Sequence, residues 1–556
     1  MNDDIGNNKN DHFFEKKIKE NYSFTEDNLF GEDIVMDDKI SAIFSVFKSK
    51  LTYYQDHLKS LFKSKSSIKQ IENSTDVVQE HQNERVEEKS EKKIASIKKN
   101  IDVNHNNINH TFADLLRLKR TLSVQKELSQ SKSIPTINYR KKQLIRLKTL
   151  IENNLDKIVV AQNKDFGLRH SKEVLNHEVI LPLALIKLSL KELKKWVENS
   201  NHHANSSINK LFVNKKVTPY PYGCVGIITS WNFPFSSAFM PLISAIAAGN
   251  RVILKLSNKT PHVSSLIEEM ITSEFEENDI SVITGDDKVT LSFGLIPFDK
   301  LFYSGEKSLA GVMLKDITNY RMAIHFECSE MTPAIIANKA NLKYALNKII
   351  YSKMFNSGQH SHAPDYILVK NSLFNEFINE TKQMLSKPSD KGVLSQPTYI
   401  INKEHQERLE SYMSEVKQKG IEYIQYPLKK ELSKKHVMFP LTFIIDPTIE
   451  MKVLNEEIFG PLISVIKYED FPDAINYINQ KKHSKSVYFF GNDQSEQHYL
   501  LNYSKANQVT FNDTLIESIN YSSLSHLSND EMTHFYGKEG FFEFSKMRTI
   551  FKSKRF

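Results

Sequence analysis

The stretch of this sequence with most chemical potential is Phe355-Asn356-Ser357-Gly358-Gln359-His360-Ser361-His362-Ala363-Pro364. Ser361, set between two histidines, is a candidate nucleophile. A serine hydroxyl attacks a carbonyl only when an adjacent base takes its proton, whereas a cysteine, with a pKa of about 8.5, needs only a modest push. Side chains one residue away in an extended loop usually point elsewhere, so neither His360 nor His362 is expected to be that base and the position reads as filled and inactive. The chain has two cysteines, Cys224 and Cys328, far apart and without metal-ligand spacing, so neither a disulfide framework nor a zinc site is indicated. Cys224, inside Gly-Cys-Val-Gly-Ile-Ile, reads as core. Cys328, beside Glu327 on a strand, should face away from that carboxylate and behave as a small buried hydrophobe.

The elements that must position these residues follow from periodicity. From about Thr111 long amphipathic helices run through Tyr139–Asn154 and Leu181–Glu198. Strand-like runs then alternate with helical ones: Cys224–Thr229, a helix from Ser236 to Ala248, Arg251–Leu256, a helix near Pro261–Phe275, and Asp279–Thr284. Such alternation predicts βαβ units and a mostly parallel sheet. Gly249-Asn250 is a sensible stop for the apolar helix before it. A second α/β block spans about Thr332 to Phe490, with a further strand at Val509–Thr514. No G-x-G-x-x-G occurs, so the ordinary dinucleotide fingerprint supports no cofactor assignment.

The 556 residues allow two or three domains. A net charge of +7 with both signs interspersed gives no case for nucleic acid as a partner. Glycine is scarce, 17 residues against an average usage of about 7%, which a genome biased toward A/T-rich codons would explain. No signal peptide opens the chain and no apolar stretch reaches the ~18 residues of a transmembrane segment, so a cytoplasmic protein is expected. Residues 1–110 differ from the rest, being polar and largely disordered by composition. Within them Ile40, Phe44, Phe47, Leu51, Tyr54, Leu58 and Leu61 share one helical seam over residues 37–64. That seam would pack on the chain's own body, on a second copy, on a membrane or on another partner.

Six segments, in order, resemble the aldehyde dehydrogenase superfamily, and most closely its coniferyl aldehyde dehydrogenase branch. They are Tyr222-Gly223-Cys224-Val225-Gly226-Ile227-Ile228, Trp231-Asn232-Phe233-Pro234, Ala247-Ala248-Gly249-Asn250, Ala363-Pro364-Asp365-Tyr366, Glu456-Glu457-Ile458-Phe459-Gly460-Pro461 and Val509-Thr510-Phe511-Asn512-Asp513. The resemblance covers roughly residues 112–552 and implies an α/β fold of that family. The implied parts are a Rossmann-like cofactor domain at 111–331, a second, nucleophile-bearing α/β domain at 332–505, and a C-terminal segment at 506–556. A β-ribbon at about 210–221 would serve oligomerisation in a homodimer.

By the same resemblance Asn232 and the backbone N–H of residue 361 would receive an oxyanion, Glu327 would activate water, and Ser361 stands where the family has its cysteine. Trp231, Lys255, Ser257, Gly305, Glu457 and Phe459 fall at cofactor-binding positions, for NAD or NADP. Several residues depart from the pattern. Asn258 replaces an acid that would meet the ribose, Glu306 and Ala310 change the turn that opens a helix, Ser329 and Glu330 replace glycines after the base, and 523–533 lacks the Gly-rich stretch of the substrate mouth. Two functions are therefore carried forward. One is an aldehyde-dehydrogenase-like protein without normal thiol catalysis. The other is an active NAD(P)-dependent oxidoreductase turning an aldehyde into a carboxylic acid, or a serine hydrolase.

Overall fold

Burial on both faces explains why the strand sequences of this chain read as continuous apolar runs rather than alternating ones. The computed structural model describes residues 104–198, 213–317, 322–328, 330–386, 394, 398–427, 438–481, 486–515 and 537–553. The expected helix at 37–64, Ser329, the 523–533 stretch and the first residues of the expected ribbon lie outside them.

A helix at Asn104–Ser131 opens the described chain, beginning before the Thr111 boundary expected from composition, and helices Ile137–Glu152, Leu155–Phe166 and Ile180–Glu198 follow. The ribbon strand β1 (Val213–Pro221) leads into β2 (Cys224–Ile228), β3 (Arg251–Lys255), β4 (Ile280–Ile283), β5 (Lys300–Gly305) and β6 (Ala323–Cys328). These last five form a parallel sheet in the order β4-β3-β2-β5-β6. One face packs on helices Ile137–Glu152, Ile180–Glu198, Pro234–Ala248 and Pro261–Glu274 through Leu147, Leu193, Phe239 and Ile267, all with 0–1% exposure. The other face packs on the first helix through Leu118 and Leu122 and on Phe293 and Met313.

The second sheet is built from β7 (Thr332–Ile336), β8 (Pro364–Lys370), β9 (Tyr423–Gln425), β10 (Thr442–Ile445), β11 (Leu462–Tyr468), β12 (Ser486–Phe490) and β13 (Gln508–Phe511). Its order is β13-β12-β7-β8-β11-β10-β9, parallel except for β9. Apolar layers cover both of its faces. The last strand, β14 (Ser545–Ser553), leaves both sheets and pairs antiparallel with β1 along its whole length.

The helix Pro234–Ala248 is the hub of the first half. Proline at its first turn costs no hydrogen bond, and Gly249 ends it in the left-handed conformation with φ 93°. A side chain at 249 would meet the Arg140 guanidinium at 2.8 Å. Asn250 then ties three segments together: its Oδ1 accepts from the Gly223 N–H at 3.0 Å, and its Nδ2 donates to the carbonyls of Ala245 at 3.2 Å and Phe544 at 2.9 Å. The two bonds from Nδ2 are buried and the one to Gly223 is half-buried, so Asn250→Ala should cost about 2–3 kcal/mol through unpaired backbone groups. Chemical denaturation should show a lower midpoint with the slope unchanged.

Candidate active site

In a parallel sheet ligands gather beyond the carboxyl ends of the strands, where neighbouring strands send their connections to opposite faces. That place here lies between β2 and β5. The turn after β2 holds Ser230, Trp231 and Asn232, and the turn after β5 holds Glu306 and Lys307. Both turns line a cavity of about 910 Å³, which also takes in Glu327, Cys328, Glu330, Ser361, His405, Arg408, Glu457 and Phe459. The loop before β8 supplies Ser361, so the start of the second sheet faces the ends of the first across this space.

Ser361 is placed by an unusual turn. Asn356, Ser357 and Gly358 are all left-handed, with φ of 47°, 50° and 69°. For the two non-glycine residues that conformation is costly, on the order of 1–3 kcal/mol each. Only glycine serves at 358, because a Cβ there would lie 2.4 Å from the Gly460 carbonyl oxygen. Hydrogen bonds offset the strain. Asn356 Nδ2 donates to the Asn232 carbonyl at 3.0 Å, Ser357 Oγ to the Thr398 carbonyl, and Gln359 Nε2 to the carbonyls of Asn356 at 3.1 Å and Tyr399 at 2.9 Å. The bond from Asn356 joins the turn that bears Asn232 to the loop that bears Ser361.

The two histidines part company. His360 is buried, its Nε2 sits 3.0 Å from the Ser352 carbonyl, and burial pushes its imidazole well below the ordinary value. His362 behaves otherwise than expected: its Nδ1 lies 3.2 Å from Ser361 Oγ. The loop is turned rather than extended here, with Tyr488 Oη donating to the His362 carbonyl at 2.9 Å and Thr332 Oγ1 to the Ser361 carbonyl at 2.9 Å. These anchors come from two strands of the second sheet, which the local sequence could not reveal. Cys328 packs with Ile324 and Phe326 on the face of β6 opposite His325 and Glu327, as expected, and at the strand's end it also reaches the rim of the cavity. Cys224 is fully buried, and burial with the charge of Asp299 pushes its thiol up to about 12.

Behind Asn232 lies a buried charged group. Arg169 Nη1 donates to Glu178 Oε1 at 2.9 Å, Glu178 Oε2 accepts from the Ser236 N–H at 2.8 Å, and the guanidinium sits 5.0 Å from the Phe233 ring centroid. Phe233 and Ser236 flank the start of helix Pro234–Ala248, so this pair fixes the turn from below.

Seven of the nine residues expected at the site line the cavity: Trp231, Asn232, Gly305, Glu327, Ser361, Glu457 and Phe459. Two do not. Lys255 ends β3 with its ammonium buried and donating to the carbonyls of Leu256 at 2.7 Å and Gly285 at 2.8 Å; burial lowers its pKa to about 8. Ser257 Oγ accepts from the Lys259 N–H at 3.2 Å.

Other residues were missed because their contacts are remote in sequence. Arg408 donates to the carbonyls of Ile458 at 2.6 Å and Phe459 at 3.2 Å and so clamps the loop that carries Glu457 and Phe459. Trp231 packs between Phe459 and His405, with ring centroids 5.3 and 4.8 Å apart. Across the cavity Lys259 Nζ meets Glu306 Oε1 at 2.6 Å, and Lys307 Nζ meets Glu330 Oε1 at 2.9 Å. Burial alone would raise the Glu306 carboxyl, but the hydrogen bond and charge of Lys259, with His405 and Arg408 nearby, hold it below its ordinary value.

The arrangement offers a hydroxyl with an acceptor beside it, an amide for a developing oxyanion, a carboxylate within the same space, and an aromatic wall facing paired charges. Known proteins resemble the chain over most of its length. The profile of the Aldehyde dehydrogenase family matches residues 123–550. A probable coniferyl aldehyde dehydrogenase of Pseudomonas aeruginosa is 30% identical over 455 residues, covering 80% of this chain and 92% of that one. The 4,4'-diaponeurosporen-aldehyde dehydrogenase of Staphylococcus aureus is 30% identical over 425 residues, covering 75% and 90%. Among solved structures, the substrate-bound state of Staphylococcus aureus AldH superposes with a TM-score of 0.71 at 27% identity, over 79% of this chain and 95% of that one. The two α/β halves are the aldehyde dehydrogenase fold, and the chain belongs to the aldehyde dehydrogenase family.

Proposed function

We propose that this chain is an NAD(P)-dependent oxidoreductase that converts an aldehyde to a carboxylic acid, with Ser361 attacking the carbonyl. The observation that carries this reading is the convergence of Ser361, Asn232 and Glu327, from three separate elements, on one cavity. The contact between Ser361 Oγ and His362 Nδ1 supplies the proton acceptor that a hydroxyl nucleophile requires. A silent enzyme, expected from Ser361 and the replaced glycines, has less support: the site is gathered, and the relatives named above are dehydrogenases.

Attack joins Ser361 Oγ to the carbonyl carbon while the hydroxyl proton goes to His362 Nδ1. The Asn232 amide and the Ser361 N–H receive the oxyanion, donors of a kind whose loss typically costs on the order of 10²–10³ in rate. Once the carbon has lost its hydride, Glu327 takes a proton from the water that hydrolyses the resulting Ser361 ester, and His362 returns its proton to the departing Ser361 Oγ.

A nicotinamide dinucleotide fits the donor set. Trp231, Glu457 and Phe459 would hold its nicotinamide end, and Lys259, Lys307 and the N–H groups that open helix Lys307–Ile317 its phosphates. Gly305 shapes that turn by leaving room for the Tyr303 hydroxyl. Lys255 and Ser257 are the proposed partners of the adenosine ribose, for which Lys255 would exchange a backbone carbonyl for a ribose hydroxyl. Bound there, the dinucleotide supplies the acceptor for the hydride lost by the aldehyde carbon. A homodimer with its seam along the β1–β14 ribbon is supported by the exposed Met547, Ile550 and Phe551 of β14. Among the described residues no helix is long and apolar enough to cross a membrane.

The test is absorbance of the reduced cofactor with aliphatic and aromatic aldehydes. Turnover should fall well below the ~10 s⁻¹ typical of enzymes, Ser361→Ala should abolish it, and Ser361→Cys should raise it at least ~10-fold. No cofactor reduction by either the wild type or Ser361→Cys would overturn the reading. Calorimetric titration checks the phosphate end: Glu306→Gln removes an anion from a helix start and releases Lys259, so NAD or NADP should bind about 3–10-fold more tightly.

A further inference from the structure

The carboxylate assigned as the base is backed by charges that lead away from the cavity. His325 and Glu327 are two residues apart on β6 and so lie on one face of the strand. His325 Nε2 is 3.9 Å from Glu327 Oε2, while its Nδ1 is 3.3 Å from Oε1 of Glu543, from the helix Gly537–Glu543 near the end of the chain. The same Glu543 oxygen takes a hydrogen bond from Lys300 Nζ, on β5 and only 3% exposed. The imidazole lies flat on the Phe302 ring, with centroids 5.2 Å apart and planes at 6°, so it is held in orientation as well as in place.

We propose that His325 is a positioning residue for the base: an imidazolium clamped between two carboxylates, which keeps Glu327 ionised and aimed while Glu543 and Lys300 hold the imidazole. The groups that face it are Glu327 on its own strand, Glu543 from the terminal helix, Lys300 from β5, and beyond these Tyr222 and Lys546. Burial alone would discharge the imidazole, but hydrogen bonds and charges from Glu327 and Glu543 more than offset it and raise its pKa. Burial would also raise the Glu543 carboxyl, yet His325 and Lys300 bring it to about 2, so Glu543 stays charged through the working range. A cation beside Glu327 favours its carboxylate form, and removing it lets the proton bind at higher pH.

This inference deepens the dehydrogenase reading and rests on it for its catalytic half, so two measurements are needed. In the first, the intact protein carries 13C at the histidine Cε1 positions, and the resonance lost in His325→Gln belongs to His325. Its midpoint should lie above the ordinary value of about 6.5 and fall by roughly one pH unit in Glu543→Gln and in Glu327→Gln. This titration is read without substrate, so failure of the dehydrogenase reading leaves it standing. A midpoint at or below about 6.5, or one unmoved by Glu543→Gln, overturns the proposal. In the second, the acid limb of the kcat/KM profile should move to higher pH by roughly 0.5–1 unit in His325→Gln. Glu543→Gln should shift it the same way, and the double variant no further than His325→Gln alone, since Glu543 acts through the imidazole. An acid limb unmoved in His325→Gln, or additive shifts in the double variant, overturns it.

Discussion

Three consecutive left-handed residues, Asn356, Ser357 and Gly358, decide where the Ser361 hydroxyl can stand. Such a run is tolerated only when its surroundings over-determine it. Here they do: the Asn356 amide is bonded to the Asn232 carbonyl, Gln359 spans two further carbonyls, and the Gly460 backbone leaves no room for a side chain at 358. The turn couples two sheets that are otherwise separate ladders. Because the buried Asn356 amide bonds the Asn232 carbonyl, the turn that bears Asn232 and the loop that bears Ser361 are tied at their backbones, and the separation of the two residues is fixed there. That is the kind of preorganisation electrostatic catalysis depends on.

Charge in the cavity follows a second rule. The crowding that the sequence suggested, with Glu306 and Glu330 at positions where glycine or a small residue was expected, is real in residue count but not in net field. Lys259 meets Glu306 and Lys307 meets Glu330, both at hydrogen-bonding distance. Substitutions that look hostile to a phosphate when read singly are matched across the space by cations. Arg408, spent on backbone carbonyls, stiffens the loop that bears Glu457 and Phe459.

Most of the fold was legible because it rests on local signals: apolar runs for strands buried on both faces, and Gly249 as a helix stop, although the helix before it starts at Pro234, two residues ahead of the expected Ser236. The loop that bears Ser361 was legible as a motif, and seven of the nine expected residues line one cavity. Long-range pairing was not legible. The rule that adjacent side chains diverge holds for an extended loop, and it failed at His362 because Tyr488 and Thr332 bend the loop from outside. Lys255 was placed correctly at the end of β3, yet nothing local shows that two carbonyls already claim its ammonium. His325 drew no notice, since a lone histidine on a strand gains meaning only when Glu543 arrives from the far end of the chain. The early start of the first helix was hidden by its polar sequence, Asn104-His105-Asn106-Asn107, which mimics a linker.

The bond from Asn250 to the Phe544 carbonyl spans 294 positions. At a ribosomal pace of ~5–20 residues per second, roughly 15–60 s separate the emergence of its two partners. During that interval the nascent first half holds an open groove beside its central helix, and β1 waits without a mate. Completion of this half therefore waits for the helix Gly537–Glu543 and β14 to be made, and until then the lone ribbon strand is an edge open to wrong pairing.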